Sequence, residues 1–353
     1  MNKIVNLLKN KIQPYLERKL RLFFYRRMAH RLINKIVQKR GYQIVDRQIK
    51  KTIKSYAKRK YGSSRFWPWL ALYTEVQGEF IEGWLPSDYY MAYLLKKYNP
   101  ESIRISAHKT FDNKIFPDFA LKPLVLKIGA TFYNSNRRLI ERNEAENILF
   151  NFDDEVVLKE DLGMGGHNVN FIESRELNFD NYSHLSNYTI QPVVRQHENL
   201  RALNNKSINT LRVLTYRNED GSIDIKYTLL RFGTGDSRVD NTSSGGGYCF
   251  VKSNGNLEDI AYSGLGTEME KKHPDSETPF KSVVIPNYEN VIEKCISSHK
   301  MFPYFMFIGW DVAVNRLGEP ILLEWNENPD LWQAEAIKGP FFKDEIMEGR
   351  FTN

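Results

Sequence analysis

Cysteine is scarce: the 353 residues hold two, Cys249 and Cys295, too few for a disulfide framework and without metal-ligand spacing. The expectation is two reduced thiols in a cytoplasmic protein. No apolar run approaches the ~20 residues that span a bilayer. The opening stretch MNKIVNLLKNKIQ lacks the apolar core of a secretory signal. Gly 21 and Pro 14 exclude a collagen-like or low-complexity chain. Acid is nearly missing from one end: residues 1–61 hold Glu17 and Asp46 against 19 Lys+Arg. What is there is 41% hydrophobic and 26% charged, enough for two or three packed domains at roughly 100–200 residues each.

The charge is split along the chain. Residues 1–61 carry a net +17, whereas the remaining 292, with 31 basic and 41 acidic residues, carry −10. Within the basic segment apolar residues recur at helical spacing: Ile4, Leu7 and Leu8, then Leu16, Leu20, Phe23 and Phe24, then Leu32, Ile33, Ile36 and Val37. Three readings stand open for it: a helical subdomain with a solvated basic face, attachment to an anionic membrane surface, and nucleic-acid binding. No zinc-finger, helix-turn-helix or aromatic RNA-reading motif accompanies the charge, so nucleic acid is the least favoured.

After Gly62 the composition is ordinary. Residues 63–112 mix aromatics at helical spacing. Strands are expected at Leu124–Ile128, Glu155–Glu160, Tyr188–Val194, Ser207–Arg217, Ser222–Phe232 and Gly247–Lys252, and helices at Arg137–Phe150 and Tyr288–Lys300. Asn218-Glu-Asp-Gly221 turns one hairpin, and Phe305–Val314 with Ile321–Asn326 forms another. The layout is α+β, strand-rich and antiparallel.

Three places carry chemistry. In FIGWDVAVNRLGEPILLEWNENP, a turn centred on Leu317-Gly318 sets Asp311 directly across from Glu324. Strand alternation then puts Glu324 and Asn326 on one face and Leu323 and Trp325 on the other. A three-residue turn would shift this register by one. Two carboxylates and an amide oxygen on one patch suit Mg²⁺. Lys159, in the apolar strand of EVVLKEDLGMGGHNV, needs an anion if buried, and the glycines beyond it suit backbone contact with phosphate. In SINTLRVLTYR, Arg212 can fork onto a phosphate or carboxylate. Each feature also has a plain reading: a solvated hairpin, an ordinary turn, an Arg lying over a sheet.

Together these motifs resemble the ATP-grasp superfamily over about Ser106 to Gln333. Gly83-Trp-Leu-Pro, Asp112-Asn-Lys114 and VDNTSSGGGYCFV make the chain similar to the sugar-transfer-associated group of bacterial polysaccharide clusters. The resemblance implies an ATP-grasp fold, two α+β subdomains clasping ATP, behind a basic helical N-terminal segment. The divisions expected are 1–61 (basic helical segment), 62–112 (helical pre-grasp region), 113–194 (N-terminal subdomain with lid loop) and 195–353 (C-terminal subdomain with metal site).

By the same resemblance, Lys114 and Lys159 contact ATP, and Gly163, Gly165 and Gly166 form a lid over the triphosphate. Gln191, Val193 and Val194 line the adenine hinge, where Gln191-Pro192 stands in place of the acidic residue common in the superfamily. Arg212, Lys159 and Arg231 serve the transferred phosphoryl group, and Asp311, Glu324 and Asn326 hold Mg²⁺, with Asp311 and Asn326 also facing the nucleotide. Asp240, Asn241, Ser244, Gly245 and Gly246 meet the acceptor. The implied reaction is carboxylate–amine ligation through an acyl phosphate, on a small-molecule or lipid-linked glycan precursor, in the cytoplasm or peripherally on the inner face of the membrane. The alternatives are an ATP-grasp kinase and a non-catalytic nucleotide- or membrane-binding protein.

Overall fold

The computed structural model describes residues 12–100, 104–163, 169–235, 246–266 and 271–352. The basic segment forms two helices, α1 (Gln13–Arg40) and α2 (Arg47–Tyr61). Pro14 sits in the first turn of α1, where its missing N–H costs nothing. Lys39 and Arg40 complement the dipole in the last turn, and Gly41, at φ +84°, closes the helix with its N–H on the Val37 carbonyl. Asp46 caps α2 by accepting from the Ile49 N–H at 2.7 Å. A third helix, α3 (Trp67–Gln77), is buried nearly all round, with Trp69, Leu70, Leu72 and Tyr73 inside.

The chain divides into two units. The first comprises Met1–Pro100, Gly264–Glu268 and Asn328–Asn353. Aromatic rings dominate its core: Trp69 lies 6.0 Å from Trp332, and the Trp84 indole N–H donates to the Glu335 carbonyl at 2.9 Å. Buried Glu75 accepts from the Val45 N–H at 2.9 Å and from Arg40 at 2.9 Å, which satisfies the loop joining α1 to α2. Along α1, Ala29, Leu32, Ile33 and Ile36 are buried, whereas Leu16, Leu20, Phe23 and Phe24 are exposed.

The second unit, Glu101–Ser263 with Met269–Glu327, carries two six-stranded antiparallel sheets. Sheet one holds β1 (Val125–Ile128), β2 (Thr131–Asn134), β3 (Leu139–Ile140), β4 (Glu155–Glu160), β5 (Val169–Glu173) and β6 (Asn187–Pro192), in the order β3-β2-β1-β6-β4-β5. Sheet two holds β7 (Thr210–Arg217), β8 (Ile223–Phe232), β9 (Gly247–Val251), β10 (Leu257–Ser263), β11 (Phe307–Val314) and β12 (Pro320–Asn326), in the order β10-β9-β8-β7-β11-β12. The helix α4 (Arg142–Phe152) contributes Ala145 and Leu149 to a core with Val156, Leu158 and Ile190 of sheet one. The helix α5 (Tyr288–Lys300) buries Val291 and Cys295 against Leu211, Val213, Leu230 and Trp310 of sheet two.

The α+β, antiparallel reading holds, and α5 has its expected ends. The expected helix Arg137–Phe150 starts instead at Arg142, because Leu139 and Ile140 pair with Tyr133 and Phe132. The expected strand to Val194 ends at Pro192, which lacks an N–H for further pairing. The strands β2, β3, β5 and β10 were not anticipated.

Candidate active site

Because alternate residues of β7 and β11 enter the core, the residues between them face the other way. Leu211 and Val213 are buried in the core of sheet two, and Arg212 is on the opposite face. Asp311 pairs with Arg212 on one side and Glu324 on the other. One row thus runs Arg212, Asp311, Glu324 across three strands. Arg212 forks onto Asp311 with contacts of 2.6 and 2.7 Å, and Arg231 of β8 adds a longer contact at 3.3 Å. Burial alone would raise the Asp311 carboxyl, but the two guanidinium groups outweigh it and hold it at about 2. Burial works against the Arg212 charge, yet Asp311 carries its pKa above the ordinary arginine value.

The turn does not create this register in the way expected. Asn315 pairs with Glu319 around Arg316-Leu317-Gly318, a three-residue turn with Gly318 at φ +79°. Val314 accordingly pairs with Pro320 and Val312 with Leu322, one residue out of step with Asp311↔Glu324. A β-bulge at Leu323 absorbs the difference and restores the pairing at the charged row. The correction extends to the faces: Leu322, not Leu323, is buried along with Trp325. Asn326 follows in register, opposite Gly309.

The bulge also meets sheet one. Lys159 of β4 donates its ammonium to the Leu323 carbonyl at 3.1 Å. Burial lowers its pKa, and Asp112 opposes that shift. Asp112 is buried and raised to about 6 by that burial, against the pull of Lys109 and Lys159, and accepts the Trp325 indole N–H at 3.1 Å. Lys109, only 8% exposed, donates to Glu324 Oε1 and to the Ser106 carbonyl, both at 3.0 Å. Ser106 donates in turn to the buried Glu327, whose pKa burial raises.

Lys109, Ser106, Asp112 and Glu327 escaped the sequence reading as site residues. Lys109 lies in a single 3-10 turn, Lys109–Phe111, with no periodicity to mark it. The available signal was the Ser106-x-x-Lys109 spacing, which brings the ammonium back over its own turn. Lys114, the expected partner of Lys159, is exposed on the short helix Asp112–Ile115 and forms no ion pair among the described residues.

Sheet one presents Lys159 beside Thr189 in the β4–β6 pairing. Thr189 is 1% exposed, and its hydroxyl has no hydrogen-bond partner. Gln191, two residues further along β6, is also buried and reaches the Leu121 carbonyl at 3.5 Å. Val193 and Val194 follow the strand and line a cavity of about 170 Å³ with Arg201 and Lys206. Gly163 lies just beyond β4, and Gly246 is buried just before β9. Gly165, Gly166, Asp240, Asn241, Ser244 and Gly245 lie outside the described residues. No group of three or more His, Cys, Asp or Glu side chains suited to a metal occurs among the described residues. The expected metal set therefore depends on two carboxylates with the Asn326 amide.

The sugar-transfer associated ATP-grasp family matches residues 91–346. The chain belongs to this family. No curated protein matches it. Among solved structures it is similar to the ATP-grasp ligase PsnB in complex with a minimal precursor, at 12% identity and TM-score 0.41, over 72% of this chain and 63% of that one. The biotin carboxylase domain of the Hydrogenobacter thermophilus 2-oxoglutarate carboxylase, crystallised with MgADP, ADP and bicarbonate, matches at 11% identity and TM-score 0.42, over 71% and 46%. D-cycloserine synthetase DcsG matches at 10% identity and TM-score 0.43, over 72% and 74%. The chain thus spans under two thirds of the first two structures, and no residue role follows from likenesses this distant.

Proposed function

We propose that this ATP-grasp family member is an ATP- and Mg²⁺-dependent carboxylate–amine ligase acting on a cell-surface polysaccharide precursor, with residues 1–61 holding it against an anionic membrane. The observation that carries the reading is the alternation of charge along the row, with Arg212, Asp311 and Glu324 across sheet two and Lys109 and Lys159 closing over it. Such a row supplies fixed cations for phosphate oxygens and fixed oxygens for a hard metal. The buried, unpartnered Thr189 hydroxyl beside Lys159 fits a nucleotide phosphate or ribose.

ATP would supply the γ-phosphoryl group that activates a substrate carboxylate as an acyl phosphate, releasing ADP, and an amine attacking the acyl carbon would expel inorganic phosphate and leave an amide. Asp311, Glu324 and Asn326 would hold Mg²⁺, which neutralises charge among phosphate oxygens. Asp311 is ionised at any physiological pH, so it needs no proton loss to serve. Arg212 and Arg231 sit ready to balance charge on the transferring group, and Lys109 and Lys159 to orient the phosphates. Positioning and charge neutralisation carry most of phosphoryl transfer, so no protein nucleophile is required.

The test is ADP and phosphate release with Mg²⁺ across uronic acids, sugar nucleotides and amino acids, with Asp311→Asn beside the wild type. Turnover that requires both a carboxylate and an amine, and is lost in the variant, supports the ligase. Turnover that ignores the amine would overturn it in favour of a kinase.

A further inference from the structure

A cavity of about 920 Å³ opens in the first unit between α1 and the segments 61–66 and 89–93. Arg18, Lys19, Arg26, Arg27 and Arg65 line it. Arg26 pairs with Asp88 at 3.2 Å; the other four have no ion-pair partner among the described residues. Aromatic rings hold some of these cations instead: Arg18 lies 5.3 Å from the Tyr93 centroid and Lys19 4.6 Å from Tyr15. A ring face engages the cation's charge and leaves the in-plane N–H donors of a guanidinium to an anion. Like charges gathered around one cavity repel each other, and an anionic ligand with several acceptor oxygens relieves that repulsion.

The same helix explains which anion. Leu16, Leu20, Phe23 and Phe24 recur at helical spacing, and the last three are 68%, 64% and 62% exposed. Phe23 and Lys19 both line the cavity, so the apolar stripe runs to its mouth. An apolar stripe flanked by cations suits a membrane interface. The rings Tyr61, Phe66 and Tyr89 are buried and packed on one another, so they offer no open face for a nucleic-acid base.

We infer that this cavity binds the phosphate headgroup of an anionic lipid while the stripe on α1 enters the hydrocarbon beside it. The inference rests on the membrane part of the proposed function and deepens it, and because vesicle binding needs neither ATP nor an acceptor, its failure leaves the ligase reading standing.

The experiment is flotation of the full chain with phosphatidylcholine vesicles, with and without phosphatidic acid. Flotation only with phosphatidic acid is expected. Arg27→Ala with Arg65→Ala should weaken it about 30-fold, from two basic residues near the headgroups. Leu20→Asp with Phe24→Asp should abolish flotation while calorimetric binding of inorganic phosphate persists. All four side chains are exposed, and thermal unfolding checks that the variants fold. Wild-type flotation by either variant overturns the inference. So does phosphate binding through Arg27 and Arg65 with no flotation by the wild type, which would assign the cavity to a soluble phosphate. Displacement from vesicles by a single-stranded oligonucleotide competing for the same arginines overturns it in favour of nucleic acid.

Discussion

The two units treat charge in opposite ways. In the sheet-bearing unit the charges of the row are matched: Arg212 with Asp311, Lys109 with Glu324, Lys159 near Asp112. The helical unit pairs two of its buried acids, Glu75 and Asp88, with Arg40 and Arg26, but leaves a surplus of cations on its surface. A closed row of charges is rigid and ready before any ligand arrives. An open set costs little in water, where solvent screens it, and gains most when an anion appears. The lesson is that the first arrangement balances its charges from within, whereas the second is balanced only by solvent or by an anion from outside.

The sharpest way to break this contrast is to remove one charge from each side. Asp311→Ala should abolish turnover and cost roughly 3–5 kcal/mol, since it strands buried Arg212; urea unfolding measures it. In a double-mutant cycle with Arg212→Ala, the pair should cost less than the sum. Arg65→Ala, from the open set, should shift stability by less than about 0.5 kcal/mol. Equal losses in the two variants would erase the distinction.

Next in size is the choice of lysine. Lys109→Met should lower kcat about 10²-fold, as loss of a positioned charge does, whereas Lys114→Met should leave steady-state rates within about twofold. A reversal would return the role to Lys114.

The third test uses pH. Burial raises Asp88 to about 7, with Arg26 pulling the other way. Because the folded value lies above the unfolded one, this stabilising contribution is complete below the ordinary carboxylate range and is lost as pH rises through about 7. Asp311 has the opposite sign: its contribution is present above the ordinary range and is lost as pH falls through about 2. Between pH 4 and 7 the Asp88 contribution should therefore weaken by an amount on the order of a few kcal/mol. Asp88→Asn should flatten that slope in thermal unfolding; an unchanged slope would show that Asp88 does not titrate there.

Much of the sheet-bearing unit was legible because strand alternation is a strong code. Asp311 and Glu324 each interrupt an apolar strand, but a three-residue turn alone would set them one step apart, and only the bulge at Leu323 restores the expected pairing. The bulge was not legible, because Leu322-Leu323 gives two identical side chains and no hint of which one turns inward. Lys109 was not legible because a 3-10 turn has no period to read. In α1 the helical spacing was visible, but spacing alone left three readings open and could not show that the helix buries only its C-terminal half.

A further small effect concerns the tip of the β11–β12 hairpin. Deleting Leu317, 77% exposed, should cost less than about 1 kcal/mol in thermal unfolding, near the centre of ordinary point mutations. A loss several times larger would show that the tip is held to one length.

That expectation exposes what the bulge does for the hairpin as a whole. It stores one residue of slack between the tip and the charged row. When the tip shortens, Leu323 can be drawn into the ladder opposite Val312, and the core receives a leucine where it had a leucine. Glu324 need not move. The outer hairpin can thus gain or lose a residue while the distance between two carboxylates stays fixed, so loop length and site geometry are free to vary independently.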